Sequence, residues 1–259
     1  MKTIAIVSLK GGVGKTTLVV NLGAALSAQG KSVLLVDLDP QQDLSQNLGM
    51  EATSIKGIEY LLTADLEFDT ILQRYNGKFH FLPAGKKLKE TELLLARAFH
   101  KMSNAPFLLR QALDKISPLY DYILIDCPPS PGMLSINALT FVNHVYIPVQ
   151  CQPMGFRGSK RTVFFIHKIR AFYNRELQID AVIPTMFDVR NKLSKAILKE
   201  LQDSFDQRTT KSIIRVNIAL AEAPAFGQTI FDYNPNCRGA SDFKQLAAEI
   251  LEWENGELD

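Results

Sequence analysis

The chain has 259 residues, 46% hydrophobic and 22% charged, a soluble globular balance that excludes disordered, collagen-like and disulfide-scaffold classes. Twenty-nine Lys plus Arg against 27 Asp plus Glu leave +2, which by itself indicates neither a nucleic-acid binder nor an acid-tailed protein. Cys127, Cys151 and Cys237 lie far apart with no C-x-x-C pair, so no disulfide framework or thiolate metal site is indicated and a reducing cytosol is expected.

In chain order, short apolar runs alternate with stretches of helical period. Strands are expected at Thr3–Ser8, Ser32–Asp37, Phe79–Pro83, Tyr122–Asp126, His144–Val149 and Ile179–Thr185. Helices are expected at about Thr16–Gln29, Leu88–Ala98, Ala105–Ile116, Lys160–Phe172, Leu193–Phe205 and Ser241–Trp253, from apolar residues three and four apart. The segment Thr53–Tyr75 is ambiguous. This βαβ alternation predicts an α/β fold: a doubly wound, mostly parallel sheet flanked by helices on both faces. No repeat or linker divides it, so one domain over residues 1–259 is expected. The apolar start reaches a glycine pair after ten residues, too short for a signal peptide, and no later run approaches the ~18 residues of a membrane span.

The most specific signal lies after the first strand, at Leu9-Lys10-Gly11-Gly12-Val13-Gly14-Lys15-Thr16-Thr17, directly before a helix. Strand, glycine-rich loop, Gly-Lys-Thr and helix together form a phosphate loop. Small glycines let successive N–H groups surround a polyphosphate, and the positive end of the helix faces the same anion. Lys15 adds a cation for the β/γ oxygens, and the Thr16 hydroxyl suits Mg²⁺. ATP and Mg²⁺ are therefore the expected cofactors, with the loop from Lys10 to Thr17 holding the nucleotide. Two further apolar strands end in carboxylates, at Asp37-Leu38-Asp39-Pro40 and at Asp126-Cys127-Pro128-Pro129. In a doubly wound fold these strand ends lie beside the phosphate loop. Taken alone, Asp37 and Asp39 also fit a turn or capping role before Pro40.

K-G-G-V-G-K-T-T, D-L-D-P-Q and D-C-P-P, with Phe81-Leu-Pro-Ala-Gly85, Tyr146-Ile-Pro-Val-Gln150, Pro184-Thr-Met-Phe-Asp188 and Tyr233-Asn-Pro-Asn-Cys-Arg-Gly-Ala240, resemble the ParA/Soj/MinD group of P-loop ATPases almost end to end. The resemblance implies a homodimer closed around ATP, in which Lys10 reaches the partner's phosphates. It implies that Lys15 contacts the phosphates as a catalytic cation and that Asp39 orients the attacking water. Thr16, Asp37 and Asp126 form the metal surroundings, and Asn217 contacts the base. Here Gln42-Asp43 replace the usual Gly-Asn after D-P-Q, Arg215 replaces a proline, and an arginine often found at Ala219 is missing. Cys127 lacks a companion matching the iron–sulfur reductases that share the deviant loop, so a small buried side chain is expected.

Residues 155–215 carry thirteen cations against six acids, +7, leaving −5 for the remaining 198. Such a patch attracts nonspecific DNA through phosphate contacts, or is a solvated helix face. Arg190 and Arg215 are the foremost candidate DNA contacts, followed by Lys195 and Lys199. The acidic C-terminal stretch, with five acids and no base from Glu249 onward, opposes membrane attachment, and the family's N-terminal helix-turn-helix domain is not expected. The combined expectation is a cytoplasmic, nucleoid-associated partition ATPase with a ParB-like partner or cargo adaptor. The alternatives are a related ATPase positioning a chemoreceptor cluster or carboxysome, and a metabolic P-loop enzyme coupling ATP to a small substrate.

Overall fold

The computed structural model describes residues 1–50, 56–63, 66–99 and 102–256. Parts of the ambiguous segment (53–55, 64 and 65) and the acidic terminus (257–259) lie outside the described residues. Seven strands form one sheet: β1 Lys2–Ile6, β2 Val33–Asp37, β3 Gln73–Tyr75, β4 Phe79–Leu82, β5 Tyr122–Asp126, β6 His144–Gln150 and β7 Gln178–Thr185. Their order is β3-β4-β2-β5-β1-β6-β7. Every pairing is parallel except β3 with β4. The six strands expected from sequence are present with ends displaced by at most two residues, and β3 is an added antiparallel edge.

The helices of the first half are α1 Lys15–Ala28, α2 Asp43–Asn47, α3 Glu59–Leu62, α4 Phe68–Ile71, α5 Leu88–Ala98, α6 Leu108–Leu113 and α7 Met133–Phe141. Those of the second half are α8 Pro153–Phe172, α9 Lys192–Phe205, α10 Ile218–Glu222, α11 Ile230–Tyr233 and α12 Arg238–Asn255. Parallel strands need covering on both faces, and strand alternation divides the core accordingly. Ile4, Ile6, Leu35 and Leu124 pack with α1 and α12, whereas Ala5, Val7, Val36 and Ile125 pack with α6, α7, α8 and α9. At Gly23 a β-carbon would come 2.5 Å from Leu35 Cδ2, so glycine permits the close approach of α1 to β2.

Among the departures from the sequence reading, three have a plain physical reason. α7 was not anticipated because it is buried nearly all round, with only Ile136 partly exposed and the polar Ser135, Asn137 and Thr140 bonded inside, so it carries no amphipathic period. α8 begins seven residues before the expected start, with Pro153 in its first turn, where the missing N–H costs no hydrogen bond. The expected helix Ala105–Ile116 is broken: Ala105–Phe107 is a 3₁₀ turn with Pro106 and only Leu108–Leu113 is α-helical.

Candidate nucleotide site

The phosphate loop connects the C-terminal end of β1 to α1. Gly12 (φ +71°) and Gly14 (φ +88°) occupy the left-handed region, which side chains rarely tolerate. Such a winding allows loop amides and a helix N-terminus to face the same anion. Thr185 at the end of β7 donates its hydroxyl to the Val13 carbonyl (2.8 Å), and the Leu9 amide donates to Thr162 Oγ1 (3.1 Å). The loop is thus fastened at both shoulders, by Thr162, which belongs to no motif, and by Thr185, within the family-like stretch Pro184–Asp188. Lys15 is buried despite its charge, at 7% exposure.

β2 and β5 pair so that Asp37 lies opposite Asp126, and both are fully buried. Thr16 donates its hydroxyl to Asp126 Oδ2 at 2.6 Å, while Asp126 Oδ1 is buried with no protein partner among the described residues. Burial first, and then the charge of Asp37, push the Asp126 carboxyl well above the ordinary carboxylate range, against the Thr16 hydrogen bond and Lys15. Asp37 Oδ2 accepts from Ser45 Oγ (2.8 Å) and Ser45 N (3.1 Å), and its Oδ1 accepts from Asp39 N (3.1 Å). Burial nevertheless raises it to about 7, against those hydrogen bonds. Asp39 accepts from Gln41 N at 3.0 Å; burial raises it too, with Lys15 opposing. An unpartnered carboxylate oxygen beside a threonine hydroxyl suits Mg²⁺, which takes few protein oxygens and retains waters. No cluster of three or more His, Cys, Asp or Glu able to hold a metal by itself occurs among the described residues.

Lys10 does not turn toward its own loop. Its ammonium donates to Gln150 Oε1 at 2.8 Å, and its Cβ lies 3.2 Å from where a β-carbon on Gly158 would sit. Beyond Gly14 a cavity of about 320 Å³ opens, with Leu18, Met186, Val216, Asn217 and Phe243 in its wall. Asn217 lies in that wall, and its side-chain oxygen caps α10 by accepting from Leu220 N (3.3 Å). Met186, at φ +51°, lies in the family-like stretch Pro184–Asp188 but had no site role from the sequence.

The expected DNA contacts separate. Arg190, Lys195 and Lys199 are exposed on the loop before α9 and on α9 itself, Arg190 being loosely paired with Asp188 (Nε to Oδ1, 3.2 Å). Arg215 lies in the cavity wall, where its guanidinium is bonded to the 2%-exposed Asp242 through Nε (3.0 and 3.1 Å) and Nη2, and its amide donates to the same carboxylate (3.0 Å). Cys127 is fully buried, which pushes its thiol far up, in keeping with packing rather than reactivity. No helix among the described residues is long and apolar enough to cross a membrane.

Comparison with known proteins identifies this arrangement. Residues 1–179 match the AAA_31 family of AAA domains. The sporulation initiation inhibitor protein Soj of Bacillus subtilis is 38% identical over 251 residues, covering 96% of this chain and 98% of Soj. The chromosome partitioning protein ParA of Caulobacter vibrioides is 34% identical over 255 residues, covering 97% and 94%. Among solved structures, cobyrinic acid a,c-diamide synthase from Mycobacterium smegmatis with bound ADP and magnesium superposes with a TM-score of 0.85 at 30% identity, covering 99% of this chain and 96% of that one. McdA from Cyanothece superposes with a TM-score of 0.84 at 25% identity, covering 96% and 99%. With its phosphate loop, paired strand-end aspartates and near full-length relatives, the chain belongs to the ParA/Soj family of P-loop ATPases.

Proposed function

We propose that this protein is a DNA-partitioning ATPase whose nucleotide state controls its assembly on nonspecific DNA. The carrying observation is the Thr16–Asp126 contact beside the buried Lys15, with one Asp126 oxygen unpartnered. In this reading the loop from Gly11 to Thr17 receives the phosphates of ATP, and Asn217 and its neighbours receive the base. Thr16, Asp126 and Asp37 would hold Mg²⁺, which would supply charge neutralisation for the phosphates. Asp39, made more basic by burial, orients the attacking water and accepts its proton. Lys10 leaves Gln150 and reaches the phosphates of a second copy, a cation supplied only when two subunits meet. Arg190, Lys195 and Lys199 hold DNA phosphates without reading bases. A ParB-like partner or cargo adaptor then triggers hydrolysis and release, so the ligand shifts a monomer–dimer equilibrium and DNA affinity follows it. This places the protein in the cytoplasm on the nucleoid.

The decisive experiment is DNA retention with ADP, ATP and a nonhydrolysable analogue at two salt concentrations. Retention with the analogue, lost in ADP and weakened by salt, supports the reading; nucleotide-independent behaviour would overturn it. A second reading rests on the likeness to the diamide synthase: ATP coupled to a small substrate, which predicts no DNA retention in any nucleotide state. Cargo positioning, the alternative within the same family, shares the DNA step and differs only in the partner pulled down.

A further inference from the structure

α8 carries an unusual outer face. Met154, Arg157, Arg161, Phe164, Lys168 and Phe172 recur at intervals of three and four and all are exposed. At 3.6 residues per turn they form a single stripe about 80° wide, opposite the buried Gly155, Ser159, Thr162, Ile166 and Ile169. Met154 is 64%, Phe164 62% and Phe172 78% exposed. The helix contains Arg157, Lys160, Arg161, Lys168 and Arg170 and no Asp or Glu. Among the described residues none of Arg157, Arg161 and Lys168 has a carboxylate within ion-pair distance. Lys168 instead lies over the Phe164 ring, 4.7 Å from its centroid. Beside the stripe a hollow of about 440 Å³ is walled by Leu9, Pro131, Phe164 and Phe165, with Lys160 and Lys168 at its rim.

The geometry points to a docking site for one acidic amphipathic helix of a partner protein, laid along this stripe. Apolar side chains of that helix cover Met154, Phe164 and Phe172 and enter the hollow. Its Asp and Glu pair with Arg157, Arg161 and Lys168, the alternation of apolar and charged contacts used in helix-to-helix recognition. Duplex DNA would satisfy the cations but leave three large apolar side chains in water. A second α8, crossing antiparallel about a twofold axis, would set Arg157 against Lys168 twice, a like-charge arrangement. The site lies next to the phosphate loop, since Thr162 of the same helix accepts the Leu9 amide and Gly158 abuts Lys10. Binding itself does not depend on the partition reading.

The test uses the full-length protein and a fluorescent synthetic helix carrying Leu at alternating three- and four-residue intervals flanked by Glu, with a Lys-flanked version as control. Fluorescence anisotropy is expected to show binding of the acidic helix only. Phe164→Ser and Arg161→Glu, both exposed positions, should each weaken it about tenfold or more, while Lys195→Glu, the same charge change on α9, leaves it intact. Equal binding of both peptides, full binding by the two stripe variants, or equal damage from Lys195→Glu would each overturn the proposal. So would loss of ATP-dependent DNA retention or dimerisation in the stripe variants with peptide binding unaltered, which would assign the face to DNA or to a second copy.

Discussion

Asp126 and Thr16 show how single residues acquire a role from their surroundings. A carboxylate deprived of water is costly to keep charged, and among the described residues Asp126 has one hydroxyl donor on one oxygen and none on the other. A cation would satisfy that oxygen, so Asp126→Asn is expected to abolish Mg²⁺-dependent turnover while leaving the apo protein as stable or more stable by thermal melting. Asp39 lies in the turn after β2, and Asp39→Ala should retain ATP-dependent dimerisation and DNA binding but lose turnover about 100-fold, as a positioned proton acceptor requires; unchanged turnover would remove it from that role. Lys15→Ala should lose nucleotide binding, and with it dimerisation and DNA retention. Arg215 differs in kind: bonded to Asp242, it braces the cavity wall. Arg215→Ala is expected to destabilise by about 1–2 kcal/mol, the guanidinium being still partly exposed, and to raise the KM for ATP more than it changes kcat. A loss of DNA retention at unchanged KM would instead restore Arg215 as a DNA contact.

At the scale of elements, the two turns that carry the chemistry are held in uncommon conformations. The phosphate loop uses glycines at positive φ and is fastened by Thr185 and Thr162 from β7 and α8. The turn after Asp39 reaches positive φ at Gln42 (63°), where the family usually has glycine, and the buried Gln42 Oε1 finds no protein partner among the described residues. A non-glycine residue in this region is strained by about 1–2 kcal/mol, against about 0.5–1 kcal/mol of extra chain entropy for glycine. Gln42→Gly should therefore raise apo stability by up to about 1.5 kcal/mol, read as a higher midpoint in urea; a fall would show that contacts of the Gln42 side chain outweigh the strain. Thr185→Val removes the bond to the Val13 carbonyl and should lower nucleotide affinity without disturbing β7, whose shape valine preserves.

For the whole molecule, near neutrality conceals a polarity: +7 over residues 155–215 and −5 elsewhere. If the exposed cations of α9 contact DNA phosphates, binding falls linearly in log–log salt plots, and Lys195→Ala or Arg190→Ala should each reduce that slope by about one. An unaltered slope would remove that residue from the interface.

The strand-loop-helix motif, the strand ends bearing Asp37, Asp39 and Asp126, and the βαβ alternation were all legible in the sequence. Each is a local pattern: glycines set loop geometry, period two or 3.6 sets element type, and parallel strands place their C-terminal ends along one edge of the sheet. Packing decided the rest. Ser45 on Asp37, Gln150 on Lys10 and Thr185 on Val13 join residues up to 172 positions apart, and α7 is buried too evenly to display a period. Arg215 and Arg190 were similar as letters, two arginines in a basic stretch. Only the tertiary structure separated them, because a buried aspartate on α12 holds one in the cavity wall while the other stands in solvent.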